Sequence, residues 1–285
     1  MKMKKTVPAP ENSPARPPGR PARIRENLRA LRLVQIEKRL DEELTLALKE
    51  KTPPTEFLDR LLNIEVSSLL ERRIARRIQE SRLSEYKFIK DFDFEFQKGI
   101  DKRQILELAT LAFVERKQGL VLAGNSGVGK SHLAKAFLLL GCQKDLRCRY
   151  TTAADMLKDL LAGLADGTVA QKLKRYTQVD ILLIDEVGFD RLEQESARNA
   201  SLFFKVIDAR YDKASTWLTT NVDFKDLGTY LGDPVITTAI VDRLVHHSII
   251  LHVEGPSYRM HQSKKLNREV KPKALSPDPS RAPTV

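Results

Sequence analysis

The apolar residues of this chain follow two different rhythms. Leu33, Ile36, Leu40, Leu44 and Leu48 recur at helical spacing, Thr52-Pro53-Pro54 interrupts them, and Phe57, Leu58, Leu61, Leu62, Leu69 and Leu70 resume the pattern. Two antiparallel helices are predicted there. From about residue 90 onward, short strand patterns alternate with helical ones. The runs 120–123, 147–151, 179–184, 215–220 and 248–253 read as strands, with helices in the intervals. That alternation predicts an α/β domain with a five-stranded parallel sheet between helices, preceded by an N-terminal helical domain.

One loop in this pattern carries chemistry. Gly124-Asn125-Ser126-Gly127-Val128-Gly129-Lys130-Ser131 follows the first strand and leads into a helical pattern that starts at His132. Strand, glycine-rich loop and helix together form the setting in which backbone N–H groups turn inward on phosphates. Lys130 is expected to reach the β and γ oxygens, and the Ser131 hydroxyl to ligate Mg²⁺. The third strand runs through Ile181-Leu182-Leu183-Ile184 into Asp185-Glu186. Asp185 is placed to hold the magnesium shell, and Glu186, alternating to the other side, to polarise an attacking water. The two segments predict a site that binds and hydrolyses a nucleoside triphosphate. Asn221 directly follows the fourth strand, where a neutral amide can sense the γ-phosphate; a turn-forming Asn is the competing reading.

Charge adds a second partner. Of the net +11, residues 1–90 contribute +8, from 21 Lys and Arg against 13 Asp and Glu. This asymmetry points to a polyanion such as duplex DNA, bound by the N-terminal part. Arg72, Arg73, Arg76 and Arg77 fall on one arc of a helix and are the candidate phosphate contacts. Surface pairing with Glu71 and Glu80 is the competing reading. The expected organisation is a disordered, basic, proline-rich arm over 1–27, a helical DNA-binding or partner domain over 28–90, the nucleotide domain over 91–268 and a disordered tail over 269–285. Within the arm, Gly19-Arg20-Pro21 resembles the core of an extended minor-groove hook, against which a plain solvated tail is the favoured reading. Cys142 and Cys148 lack ligand-spaced partners and read as thiols, while the absence of a signal region or a long apolar span points to a cytoplasmic protein without a membrane partner.

The P-loop and acidic strand, the polar residue after the fourth strand, Asp242-Arg243-Leu244 and Gly255-Pro256-Ser257-Tyr258-Arg259 resemble the initiator clade of AAA+ ATPases, which includes the helicase loader DnaC. Further segments resemble the IstB-like helper ATPases of insertion-sequence transposition. These are Gly232-Asp233-Pro234, Asp242-Arg243-Leu244-Val245-His246-His247, Ser257-Tyr258-Arg259, Arg72-Arg73-Ile74-Ala75-Arg76-Arg77 and Asp91-Phe92-Asp93-Phe94, within residues 28–268.

The resemblance implies an AAA+ P-loop fold that binds ATP and Mg²⁺. Nucleotide contacts would come from Gly124 through His132, with Asp185 and Arg259, the latter as a sensor within its own subunit. Ser131 and Asp185 would hold the metal. Glu186, Asn221 and Arg243 would be catalytic, Arg243 reaching into a neighbouring subunit's site. Arg210 is the alternative for that role, and an ion pair with the adjacent Asp242 is the competing reading of Arg243. The resemblance further implies ATP-dependent self-association on double-stranded DNA, bending of that DNA, and activation of a separate transposase that cuts the strands. A DnaC-like helicase loader and a nucleotide-gated binding module with negligible turnover are the alternatives.

Overall fold

The computed structural model describes residues 19–188, 197–222 and 233–269. They fall into two units, divided between Arg72 and Arg73.

The first unit is helical. It holds α1 (Arg20–Ala30), α2 (Val34–Glu50) and the N-terminal part of α3 (Pro54–Glu80). Ile36, Leu40 and Leu61 form its core, with Leu28, Leu33 and Phe57 packed around them. Leu33 gives α2 no side-chain cap; the buried Glu65 carboxylate of α3 accepts from the N–H groups of Gln35 (2.8 Å) and Ile36 (3.2 Å) instead. At the other end of the hairpin Arg60 meets Glu50 at 2.9 Å, so α2 and α3 run antiparallel, as predicted.

The expected disordered arm is corrected from Arg20 onward. A proline in the first turn, where its missing N–H costs nothing, starts α1, and Arg29 of that helix pairs with Glu37 of α2 at 2.6 Å. Arg20 and Pro21 are therefore helical, which removes the extended geometry a groove hook needs. Residues 1–18 and 270–285, the rest of the arm and nearly all of the tail, lie outside the described residues.

The second unit begins within α3, earlier than the expected boundary at residue 90. The Ser81 carbonyl accepts from the Tyr150 N–H at 2.7 Å, and Leu83 is part of the sheet domain's core, so residues 73–90 belong to this unit. It continues through α4 (Lys102–Leu108), α5 (Ala112–Glu115), β1 (Gly119–Ala123), α6 (Lys130–Gln143), β2 (Cys148–Thr152), α7 (Ala153–Ala165), α8 (Val169–Thr177), β3 (Ile181–Val187), α9 (Ala197–Arg210), β4 (Ser215–Thr220), α10 (Pro234–His246), β5 (Ser248–His252) and α11 (Tyr258–Glu269). The strands pair in parallel in the order β2-β3-β4-β1-β5. Their side chains alternate between two buried faces: Leu120, Leu122, Leu183 and Trp217 pack with α6, while Val121, Leu182, Ile184 and Leu218 pack with α7, α9 and α10. Placing β4 between β1 and β3 aligns the carboxyl ends of all three strands, where a parallel sheet holds its ligands. Among the described residues no helix is long and apolar enough to cross a membrane.

Candidate functional site

The loop after β1 is shaped by three glycines in left-handed conformations, Gly124, Gly127 and Gly129, with φ of 148°, 82° and 105°. Space as well as φ requires them. A Cβ at Gly127 would overlap Ser257 Oγ, and one at Gly129 would approach the Phe92 ring to 2.6 Å. The loop is also tied down: Tyr258 N–H donates to the Gly127 carbonyl at 2.9 Å, and the buried Gln97 side chain donates to the Val128 carbonyl at 2.6 Å.

Lys130 opens α6 and is 7% exposed; its Nζ donates to the carbonyls of Gly124 (2.7 Å) and Asn125 (2.8 Å). Burial lowers its pKa, while the Asp185 charge opposes that shift. One residue on, Ser131 Oγ donates to Asp185 Oδ1 at 2.8 Å. Asp185 is 1% exposed and is held from other sides by Thr219 Oγ1, by the Tyr150 hydroxyl at 3.2 Å and by Lys135 Nζ at 3.8 Å. Burial, and then Asp185, push the Tyr150 phenol above its usual range, so it remains a donor to that carboxylate. Ser131 and Asp185 thus present adjacent hard oxygens, a donor set that fits a magnesium ion.

Glu186 departs from the alternation expected of a regular strand. The β3–β4 register shifts between Ile184 and Val187, Glu186 has φ 62°, and its N–H donates to Thr219 Oγ1 at 2.9 Å. The bulge leaves its carboxylate exposed on the wall of a cavity of about 550 Å³. Ser126 to His132, Lys135, Thr219 and Arg259 line the same cavity. The P-loop, the acidic strand end and Arg259 are therefore brought together, with Arg259 in the first turn of α11.

Gly124, Asn125 and Asp185 adjoin the lining residues without lining the cavity themselves, and Asn221 and Arg243 are also outside the lining. Asn221 is exposed beyond the end of β4 and is not among the lining residues; Thr219, two residues earlier, bonds both acidic positions. Arg243 lies on α10 and bonds Asp208 of α9, Nε to Oδ1 at 2.9 Å, in place of the adjacent Asp242. Arg210, the alternative to Arg243, is 1% exposed and donates to the carbonyls of Tyr176, Val179 and Ser215 and to Thr216 Oγ1. Desolvation lowers its pKa to about 10, so it stays charged at neutral pH, as a buried bracket between elements. That geometry removes it as a group reaching another subunit.

The arginine arc on α3 is extensively paired. Arg72 meets Glu65 at 3.5 Å, Arg73 and Arg77 both meet Asp145 at 2.7 and 3.1 Å, and Arg76 stands 4.0 Å from Glu80. Asp145 is held below the usual carboxylate range, chiefly by its hydrogen bond from Arg73. The surface pairing weighed for Glu80 is present; Glu65 lies two turns before Arg72 on the same face of α3, while Asp145 is a partner that helical spacing alone could not reveal.

Sequence reasoning missed Thr219, Tyr150 and Lys135 around Asp185, and the cavity wall at Tyr86, Phe96 and Gln97. Lys135 follows Ser131 by one helical turn, a legible signal. The contacts of Thr219 and Tyr150 depend on which strands become neighbours, and Tyr86, Phe96 and Gln97 lie in the irregular segment that precedes α4.

A family model described as IstB-like ATP binding protein matches residues 26–266. A protein named as the ATP-binding protein of insertion sequence IS232, from Bacillus thuringiensis subsp. berliner, is 34% identical over 84% of this chain and 95% of its own length. The corresponding protein named for IS5376, from Geobacillus stearothermophilus, is 36% identical over 87% of this chain and 97% of its own. Among solved structures, AMPPCP-bound DnaA from Aquifex aeolicus is similar in fold, with a TM-score of 0.50 and 21% identity over 66% of this chain and 56% of that one. The fold is that of the AAA+ P-loop ATPases.

Proposed function

The chain belongs to the family of IstB-like ATP-binding proteins, and on that premise we propose that it is an ATP-hydrolysing helper of DNA transposition. It assembles on target duplex DNA, remodels it, and recruits and activates a separate transposase. The observation that carries the hydrolytic reading is the shared cavity of Lys130, Ser131, Glu186 and Arg259, with Asp185 bonded to Ser131 at 2.8 Å.

The roles follow from these groups. Lys130 exchanges its two loop carbonyls for β and γ phosphate oxygens, and the loop N–H groups receive the rest of that charge. Magnesium, which Ser131 and Asp185 would hold, supplies further neutralisation of the phosphates. Glu186 accepts a proton from the water that attacks the γ-phosphorus, and its bulged backbone turns the carboxylate toward the cavity. Arg259 contacts the phosphates from α11. Arg243 serves the site of a neighbouring subunit, a role supported by its absence from the residues that line its own cavity. Asn221 reports the γ-phosphate from the end of β4. Arg72, Arg73, Arg76 and Arg77 contact duplex phosphates after exchanging their present carboxylate partners.

Glu186→Gln tests this reading in the full-length protein. It removes the base and keeps the size, so ATP binding and assembly on duplex DNA should persist while turnover falls by about two to four orders of magnitude. Turnover at the wild-type rate would assign the water to another group and overturn the reading.

A further inference from the structure

Arg243 is seated on one face of α9. Phe204 and Asp208 are one turn apart on that face, and Tyr211, at i+7, directly follows the end of the helix. Arg243 Nε donates to Asp208 Oδ1 at 2.9 Å and Nη1 to the Ala239 carbonyl at 3.1 Å. The guanidinium carbon stands 4.8 Å from the centroid of the Phe204 ring and 5.9 Å from that of Tyr211. Phe204 packs in turn against the buried cluster of Phe203, Val206 and Ile207, so the seat is fixed to the core. Among the described residues, two of the five guanidinium N–H groups are engaged by these bonds, one by Asp208 of α9 and one by the α10 backbone. Among the described residues the Nη2 end makes no hydrogen bond, which leaves it for another acceptor.

We propose that Asp208 and Phe204 are positioning residues for Arg243, holding its guanidinium by one edge so that its other edge meets the transferring phosphoryl group of a neighbouring subunit. This rests on the trans role of Arg243 proposed above. A pair that leaves Asp208 half exposed contributes little to stability, whereas fixing one rotamer of a long side chain bears directly on transition-state geometry. A carboxylate and an aromatic face suit this task because the first fixes direction and the second fixes the guanidinium plane.

The test is a double-mutant cycle in the full-length protein, measuring ATP hydrolysis with saturating duplex DNA and binding of a non-hydrolysable ATP analogue. Asp208→Asn should lower kcat about tenfold with KM and analogue affinity within about twofold of wild type, and Asp208→Glu should recover most of the loss. In an Arg243→Ala background, Asp208→Asn should cost nothing further, because the group it positions is gone. An unchanged kcat in Asp208→Asn, or a loss that adds fully to that of Arg243→Ala, overturns the positioning role while leaving the trans arginine intact. A wild-type kcat in Arg243→Ala itself overturns the trans arginine and the seat with it.

Discussion

Two arginines on neighbouring elements of the sheet domain illustrate how burial decides role. Arg210 is 1% exposed, with its guanidinium on backbone carbonyls of three segments; Arg243 is partly exposed, with one edge on Asp208. Arg210→Leu leaves those carbonyls without a donor at about 1–3 kcal/mol each, so we expect a loss of about 3 kcal/mol or more, and a Tm lower by about 10 °C in a thermal melt. Arg243→Ala should leave the melt nearly unchanged. A normal Tm in Arg210→Leu with a selective loss of turnover would return Arg210 to the list of catalytic groups. At this scale the sequence was most legible where chemistry is local. Lys130 and Ser131 are adjacent in the motif, and their placement follows from the loop alone. Thr219 was not legible, since its bonds to Asp185 and to Glu186 N–H depend on the pairing of β3 with β4.

The elements were legible wherever periodicity decided them. The strands and their parallel connection follow from the alternation of short strand patterns with helical patterns; β1 and β3 are continuous apolar segments because the sheet is buried on both faces. α1 was not legible: its residues are too polar to pack by themselves, and pairs such as Arg29–Glu37 hold it to α2. The division of α3 between two units was hidden for a related reason. Asp145, which binds Arg73 and Arg77, lies 72 and 68 residues away in sequence. This bears on the DNA binding proposed for α3. Replacing Arg72, Arg73, Arg76 and Arg77 by Ala should weaken duplex binding and reduce the slope of log affinity against log salt by up to about one unit for each phosphate no longer neutralised. Sequence preference should change little. Titration of duplex DNA at several salt concentrations checks this, and an unchanged affinity and slope would move the DNA path to other residues.

For the whole molecule, we propose that a complete catalytic site is built from two subunits. The P-loop, Glu186 and Arg259 line one cavity, with Asp185 bonded to Ser131 at 2.8 Å, while Arg243 on α10 is not among that cavity's lining residues. A subunit lacking Lys130 cannot neutralise the β and γ charge yet still carries the arginine; one lacking Arg243 has the converse defect. Mixing full-length Lys130→Ala with full-length Arg243→Ala on duplex DNA, and measuring ATP hydrolysis across mixing ratios, tests the claim most directly. The account predicts little activity from either variant alone and a maximum at intermediate ratios, where interfaces combine an intact P-loop with an intact arginine. Mixtures that demonstrably co-assemble and stay inactive at every ratio would contradict it.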